Sequence, residues 1–401
     1  ADAARARTSA SAASAAARVA SGSAARTSAD FDPSRKPEAP GENEADSLSG
    51  RVTAIATLFD GRVENRTTLS GSRLDRSSKD PTSSFSVRTD FDGRRTRIEN
   101  QTDITVDGHD DVATVGLSRE HEAASIGDAK APGDPVINTL SANADTTAIF
   151  GQYRAGLWDQ LYLTAGVRRD DHSAFGAHTT WRFTGAWIVP GTGTTLRGSW
   201  GTGSKAPSLY QLYHPTYGDA DLEVEKSRGW DIGIEQRLVD DALTLGLTWF
   251  RNDIRNMLSF DSAASRYRNT ARARTEGLEA TAKAVPADWL TLQAAYTYLE
   301  TTDLETGTAL PRRPRHTLFA AADVYPLDGT RIGIEASHVG AQVNSASRPT
   351  KIRRGEFCSD LLVICRVLNM SHGYRVRHRR DSVSWRVSSA ACPFRSSGYS
   401  V

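Results

Sequence analysis

The sequence predicts an all-β protein, an antiparallel transmembrane β-barrel. Three observations predict it. Between about residue 48 and residue 341, apolar and polar residues alternate in segment after segment, separated by turn-forming residues, and about 14 or 15 such segments can be counted. Many of them run about 9–12 residues, the length a tilted strand needs to cross a bilayer. Their connections alternate between tight turns and long loops, as the two ends of a membrane barrel do.

The chain has 401 residues, 38% of them apolar, with a mean hydropathy of -0.46. That average does not exclude a membrane, because a strand with one apolar face averages to polar. No run of 18 apolar residues occurs, so a transmembrane helix is excluded. A secretory leader is not legible either: residue 1 is Ala and the first 28 residues lack an apolar core, so the chain reads as a fragment. Residues 351–401 hold ten Lys/Arg against three Asp/Glu, whereas the whole chain is +1. The three cysteines, Cys358, Cys365 and Cys392, also fall in that tail. A body without cysteine suits an oxidising envelope compartment and argues against a disulfide scaffold or a thiolate metal site.

Taken in order, residues 1–29 are Ala/Ser/Arg low complexity and are expected to lack a packed structure or to be out of frame. Residues 30–46 are acidic, with three prolines, and read as a long solvated loop that opens a barrel region over 30–347. Within that region "RIENQTDITV" sets Ile98, Ile104 and Val106 against Glu99, Gln101, Asp103 and Thr105. "LYLTAGVRRDD" sets Leu161, Leu163, Ala165 and Val167 against Tyr162, Thr164 and Arg168; "LTLGLTW" sets Leu243, Leu245, Leu247 and Trp249 against threonines and Gly246. "LEATAKA", "LTLQAAYTY" and "RIGIEAS" repeat the pattern. Tight turns are expected at 158–160, 239–242, 285–289 and 326–329, and long loops at 119–145, 204–226, 255–268 and 301–313. A soluble β-sandwich is the alternative, but its strands are usually about 5–6 residues. Here the polar faces carry Glu, Lys, Arg and Asp, which suits a water-filled lumen, and Trp and Tyr gather near strand ends as an interfacial girdle does. Residues 348–401 are basic, Ser-rich and without alternation, and are expected to come from a non-native frame.

One stretch is more specific than periodicity. It contains Gly201, Lys205, Ala206, Pro207, Gln211, Leu212, Tyr213, Tyr217, Gly218, Leu222, Glu225, Lys226, Ser227, Trp230 and Gly233. In this order it resembles the barrel of TonB-dependent outer-membrane receptors, most closely the vitamin B12 (cobalamin) receptor group. The chain departs from that pattern at Asp219-Ala220 and at Val224. "WFRNDIRNMLSF", "YRNTARARTEGLEATAK", "AYTYLETTD" and "LPRRPRHT" continue the resemblance in register, over roughly residues 30–341. It implies TonB-powered uptake of cobalamin or an iron–siderophore, a monomer in the outer membrane of a Gram-negative bacterium, contact with lipid and lipopolysaccharide, and no enzyme activity. It also implies a barrel of about 22 strands around a plug. No plug domain or TonB-binding segment is legible ahead of the barrel region, and the final strands are missing. The expectation is a partial barrel that does not transport, since open strand edges in hydrocarbon cost several kcal/mol per unpaired group.

Among residues that could carry chemistry, Arg168 to Ser173 puts Asp, His and Ser side by side. A phospholipase-like barrel enzyme is the reading this allows, but triad members converge from separate segments. His109, Asp110 and Asp111 read as a turn. Asp30, Asp32, Glu38, Glu42, Glu44 and Asp46 offer oxygen ligands that suit calcium in a flexible loop, and the resemblance to vitamin B12 receptors implies the same ion. No other cofactor is expected. Tyr210, Tyr213, His214 and Tyr217 either contact a ligand from outside or pack on one another. Arg312, Arg313 and Arg315 could attract an anionic siderophore or lipopolysaccharide phosphate. The basic run at 375–380 is not expected to bind nucleic acid, and a passive porin is the remaining alternative.

Overall fold

Alternation becomes strand throughout. A computed structural model describes residues 14–31, 41–343 except 82, 84, 85, 107–110, 262, 263, 328 and 329, and 352–353, 356–366 and 382–388. The strands are β1 (Ser14–Phe31), β2 (Gly41–Leu58), β3 (Val63–Lys79), β4 (Arg88–Thr105), β5 (Val112–Ala129), β6 (Ile137–Leu157), β7 (Leu161–His172), β8 (Gly176–Val189) and β9 (Thr194–Lys205). A short helix α1 (Leu209–Tyr213) precedes β10 (Glu225–Leu238), β11 (Leu243–Asp261), β12 (Arg266–Ala287), β13 (Leu290–Asp303), β14 (His316–Val324) and β15 (Thr330–Val339). Four further strands are β16 (Gln342–Val343), β17 (Ile352–Arg353), β18 (Glu356–Arg366) and β19 (Ser382–Ser388). No helix among the described residues is long and apolar enough to cross a membrane.

The described residues divide into two compact units. The first takes those up to Phe183 with Gly201–Ser227 and Arg255–Thr270, and the second takes Thr184–Trp200, Arg228–Ile254 and those from Ala271 on. In the first unit β1 to β7 pair antiparallel, each with the next. Register puts Val52 opposite Leu69 and Leu69 opposite Ile98, so one face carries a continuous apolar stripe. Leu117, Ile149 and Val167 extend it, and all are exposed, as lipid-facing groups are. The opposite face is charged and carries ion pairs: Arg95 binds Glu120 at 2.7 Å and Arg168 binds Asp170 at 2.8 Å.

In the second unit β12 pairs β13, β13 pairs β14, β14 pairs β15 and β15 pairs β18, all antiparallel. Trp230, Ile232 and Ile234 are exposed on one face of β10, while Asp231 meets the Ser199 hydroxyl and Glu235 lies 3.7 Å from Arg197 on the other. The short turns take left-handed backbone: Trp158 and Asp159 have φ of 57° and 54°, and the Gln160 amide donates to the Leu157 carbonyl at 3.1 Å. Pro286, which cannot donate to a ladder, sits where the β12–β13 register shifts between Ala284 and Ala287.

Four expectations change. Ser14–Phe31 is strand, although the low-complexity composition predicts none; a ladder needs only paired backbone, and small residues do not obstruct it. Glu42, Glu44 and Asp46 belong to β2 rather than to an acidic loop. The loops at 119–145 and 255–268 are mostly strand: β5 runs to Ala129 and β6 begins at Ile137, and β11 runs to Asp261 and β12 begins at Arg266. Alternation marks only the part of a strand that faces lipid; past it that face turns polar, as at His121, Asn143 and Asp145, and the period fades. The tail, in which no alternation is read, contributes β18, whose apolar "LLVIC" run extends the ladder from β15, and β19 pairs with β18.

Candidate ligand-facing site

The connection between β9 and β10 is the longest structured loop, residues 206–224. Ser208 caps α1: its Oγ accepts from the Gln211 amide at 3.3 Å, and Gln211 Oε1 accepts from the Ser208 amide at 2.9 Å. The helix then turns back on itself. His214 Nδ1 accepts from the amides of Thr216 at 3.2 Å and Tyr217 at 3.1 Å. The Gly218 amide donates to the His214 carbonyl at 2.8 Å. A Cβ on Gly218 would lie 2.6 Å from the His214 carbonyl oxygen, so only glycine fits this close approach.

Apolar burial holds the loop down. α1 packs against β5 and β6. Leu209 and Leu212 are 6% and 4% exposed, and Ile126 of β5 and Leu140 of β6 are buried as well. Ile126 and Leu140 lie directly opposite each other, on the face away from the lipid stripe. Beneath the loop is a cavity of about 470 Å³ bounded by Leu74, Phe91, Arg95 and Glu122 of the strands and by Leu209 and Tyr210 of the loop.

Five rings close a circuit that ties this loop to the β11–β12 hairpin. Tyr210 and His214 are 4.7 Å apart, His214 stacks on Tyr217 at 4.7 Å, and Tyr217 meets Phe260 edge-on at 6.0 Å. Phe260 contacts Tyr267 at 5.2 Å, and Tyr267 returns to Tyr210 at 6.0 Å. Such pairs contribute about 0.5–1.5 kcal/mol each beyond their burial. Polar bonds run alongside: the Asn256 amide donates to Glu223 at 2.6 Å, Asn269 donates to the Glu223 carbonyl at 3.0 Å, and Lys205 pairs with Glu225 at 3.1 Å.

Burial, followed by the neighbouring tyrosines, pushes the Tyr210 phenol up to about 12. Burial also lowers the His214 imidazole below its ordinary 6.5; Lys130 adds to this and Asp128 opposes it. Through His214 the folded loop therefore holds fewer protons than the unfolded one in the imidazole range. Its docking is at full strength above 6.5 and weakens as the pH falls below that value and through the lowered one. Acidification should raise the rate of chymotryptic cleavage in the loop, while His214→Gln, which keeps an acceptor but cannot titrate, should flatten that response. An unchanged acid response in His214→Gln would assign it to other groups.

Of the residues singled out in the sequence, Tyr210, His214 and Tyr217 come together and spend their faces on one another; Tyr213 is exposed. Arg312 and Arg313 lie in the second unit, between β13 and β14. The Arg312 amide donates to the Val343 carbonyl at 2.7 Å, and Arg313 donates to the Arg312 carbonyl at 3.2 Å. Arg315 pairs with Glu300 at 3.5 Å. Gly201, Ala206, Lys226, Ser227 and Trp230 keep to β9, the loop or β10, and Pro207 is buried beside the helix start. Phe260 and Tyr267 were missed, although each flanks the turn of its hairpin.

The acidic set does not form a loop site. Glu42, Glu44 and Asp46 alternate along β2, where same-face neighbours stand about 7 Å apart. Glu42 pairs with Lys79 at 3.0 Å. Asp32 and Glu38 lie outside the described residues, as does the side chain of Asp30. Among the described residues no three His, Cys, Asp or Glu side chains converge on a possible metal position. Arg168–Ser173 is no catalytic set: His172 Nδ1 accepts from the Ala174 amide, Ser173 Oγ accepts from the Asp145 amide, and Asp170 is held by Arg168. His109 and Asp110 lie outside the described residues; Asp111 accepts from the Gly156 amide at 2.8 Å.

A family model described as TonB dependent receptor-like, beta-barrel matches residues 5–353. The match begins inside the low-complexity segment expected to lie outside the barrel. Solved structures share the fold. A ferric enterobactin receptor (PfeA) mutant from Pseudomonas aeruginosa matches at 20% identity and a TM-score of 0.66, over 82% of this chain and 55% of that one. The siderophore receptor PirA from Acinetobacter baumannii matches at 15% identity and 0.63, over 83% and 57%. The copper transporter OprC matches at 14% identity and 0.67, over 82% and 59%. The chain thus spans less than two thirds of the length of these structures.

Proposed function

Because the chain belongs to the TonB-dependent receptor β-barrel family, whose members are outer-membrane transporters and not enzymes, we propose that it forms the ligand-admitting wall of a receptor for ferric siderophores. The observation that carries the reading is the docked loop 206–224, which closes a cavity of about 470 Å³ bounded by Phe91 and Arg95 on the polar face of the first unit. Aromatic faces and guanidinium groups suit a flat, anionic iron chelate. The siderophore receptors among the structural neighbours support this choice. Cobalamin is the second reading, favoured by the Gly201–Gly233 motif. Energy from a TonB complex and an outer-membrane location follow from the same proposal.

The test is titration of the full chain, folded in detergent, with a ferric catecholate and separately with cyanocobalamin, read by tryptophan fluorescence. Saturable quenching by the ferric catecholate alone is expected. A response to cyanocobalamin alone would transfer the assignment to cobalamin, and no response to either would remove the receptor reading of this wall.

A further inference from the structure

One part of the lipid-facing stripe is polar. Residues an even number apart share a face of a strand. On β3, Asn65 and Thr67 therefore share the face of Val63 and Leu69, and on β4, Asn100 and Thr102 share that of Ile98 and Ile104. Register sets Asn65 opposite Thr102 and Thr67 opposite Asn100. The Leu69–Ile98 pair closes this group at one end and the Val63–Ile104 pair at the other. On one flank, Leu117 and Val115 of β5 lie opposite Asn100 and Thr102; on the other, Ala54 and Ala56 of β2 lie opposite Thr67 and Asn65. Leu69, Ile98, Val115 and Leu117 are all exposed. The polar group is thus an island within an apolar rim, and the rim is low where the alanines stand.

The island is bonded to itself. Asn65 Nδ2 donates to Asn100 Oδ1 at 3.2 Å and to Thr102 Oγ1 at 2.8 Å. Asn100 Nδ2 returns the same two bonds, to Asn65 Oδ1 at 3.1 Å and to Thr67 Oγ1 at 2.8 Å. Both amide N–H pairs are spent in this way. What is left over is balanced. The two threonine hydroxyls donate to no other described residue, and each amide oxygen keeps one lone pair. Water would satisfy these groups on a soluble surface, but hydrocarbon offers them nothing. Lipid tails cover leucine and isoleucine as well as protein does, so apolar matching gives membrane segments no drive to associate. Hydrogen bonds and close backbone approach do.

We propose that this island joins two copies of the chain side by side in the membrane, related by a two-fold axis along the membrane normal. Two spare donors and two spare acceptors on one patch are self-complementary, as a contact between identical faces requires. A copy in the same membrane orientation presents its own threonines and asparagines at the same depth. Polar then meets polar, and the Leu69–Ile98 row meets itself. A partner with a uniformly apolar surface would leave all four groups unsatisfied. Ala54 and Ala56 leave room for the two backbones to approach, as small residues do where membrane segments pack. Strands β2 to β5 over this depth present a face of about 500 Å² per copy, below the roughly 800 Å² usual in a stable soluble complex. The pair is therefore weak and depends on confinement to the membrane plane. It departs from the monomer that the family resemblance implies.

The test places the full chain in phosphatidylcholine vesicles, with donor and acceptor fluorophores on separate copies at the amino terminus, and follows energy transfer as lipid is added. Transfer above that of random mixing, displaced by excess unlabelled chain, is expected. Thr67→Val with Thr102→Val keeps the shape and removes the hydroxyls, and should weaken association about 10-fold. Ala54→Phe keeps the hydroxyls and fills the recess, and should weaken it at least as much. Heat-dependent gel migration confirms that each variant folds. Transfer no higher than random mixing in the parent would assign the island to lipid and overturn the proposal, as would equal transfer in the parent and both variants. Loss in Ala54→Phe alone would leave the hydroxyls no part in the contact and would overturn it as well.

Discussion

Leu212→Ala should undock loop 206–224 while leaving the strands intact. Leu212 is 4% exposed, in the helix that packs on β5 and β6. Large-to-small changes at such positions cost about 2–5 kcal/mol, the removed contacts plus the cavity left behind. Loop docking is a local equilibrium, so that cost falls on the opening of the loop rather than on the ladders. A cost near 3 kcal/mol multiplies the open population by about 150-fold. Tyr210, Tyr213 and Tyr217 all lie in the released segment, so chymotrypsin reads the opening directly. Cleavage should rise by about two orders of magnitude, with heat-dependent gel migration of the barrel unchanged. Tyr213→Ala, at an exposed ring, should leave the cleavage of the remaining sites as it was. Parity between Leu212→Ala and the parent would mean that the wall of β5 and β6 does not hold the loop.

The loop also shows where sequence reasoning reached and where it stopped. The faces of β10 were legible because Trp230, Ile232 and Ile234 alternate with Asp231, Gly233 and Glu235, and both the exposed tryptophan and the Asp231–Ser199 contact follow from that pattern. Loop 206–224 was legible from Pro207, Pro215 and Gly218. The packing of its rings was not, since Tyr210 and Tyr217 meet Phe260 and Tyr267 across some 40 to 60 residues of chain and no local period encodes that meeting. Ile126 and Leu140 sat inside a stretch read as loop, because beyond the lipid stripe the face that carried it turns polar and alternation fades. Ser14–Phe31 was missed for a related reason: Ala and Ser carry little hydropathy contrast, so its pairing with β2 leaves no periodic trace.

Arg331→Met should be the most damaging single change in the second unit. Arg331 binds Asp323 through two nitrogens, each at 2.8 Å, in the fork geometry that suits a carboxylate. The Asp323 side chain is 8% exposed, whereas that of Arg331 is 40% exposed. The asymmetry decides the outcome. Removing the guanidinium leaves a carboxylate with little access to water, at a cost of about 3–5 kcal/mol for a fully buried pair and about 3 kcal/mol here, where one partner is partly solvated. Removing both charges restores most of that loss, because an uncharged pair strands nothing. Arg331→Met should therefore lower the thermal midpoint of the folded barrel clearly, and Arg331→Met with Asp323→Leu should recover most of it. Asp323→Leu alone should cost less than Arg331→Met, since the exposed guanidinium can turn to water. Equal losses in the two single variants, with no recovery in the double, would show that the pair contributes packing alone; heat-dependent gel migration of the four chains makes the comparison.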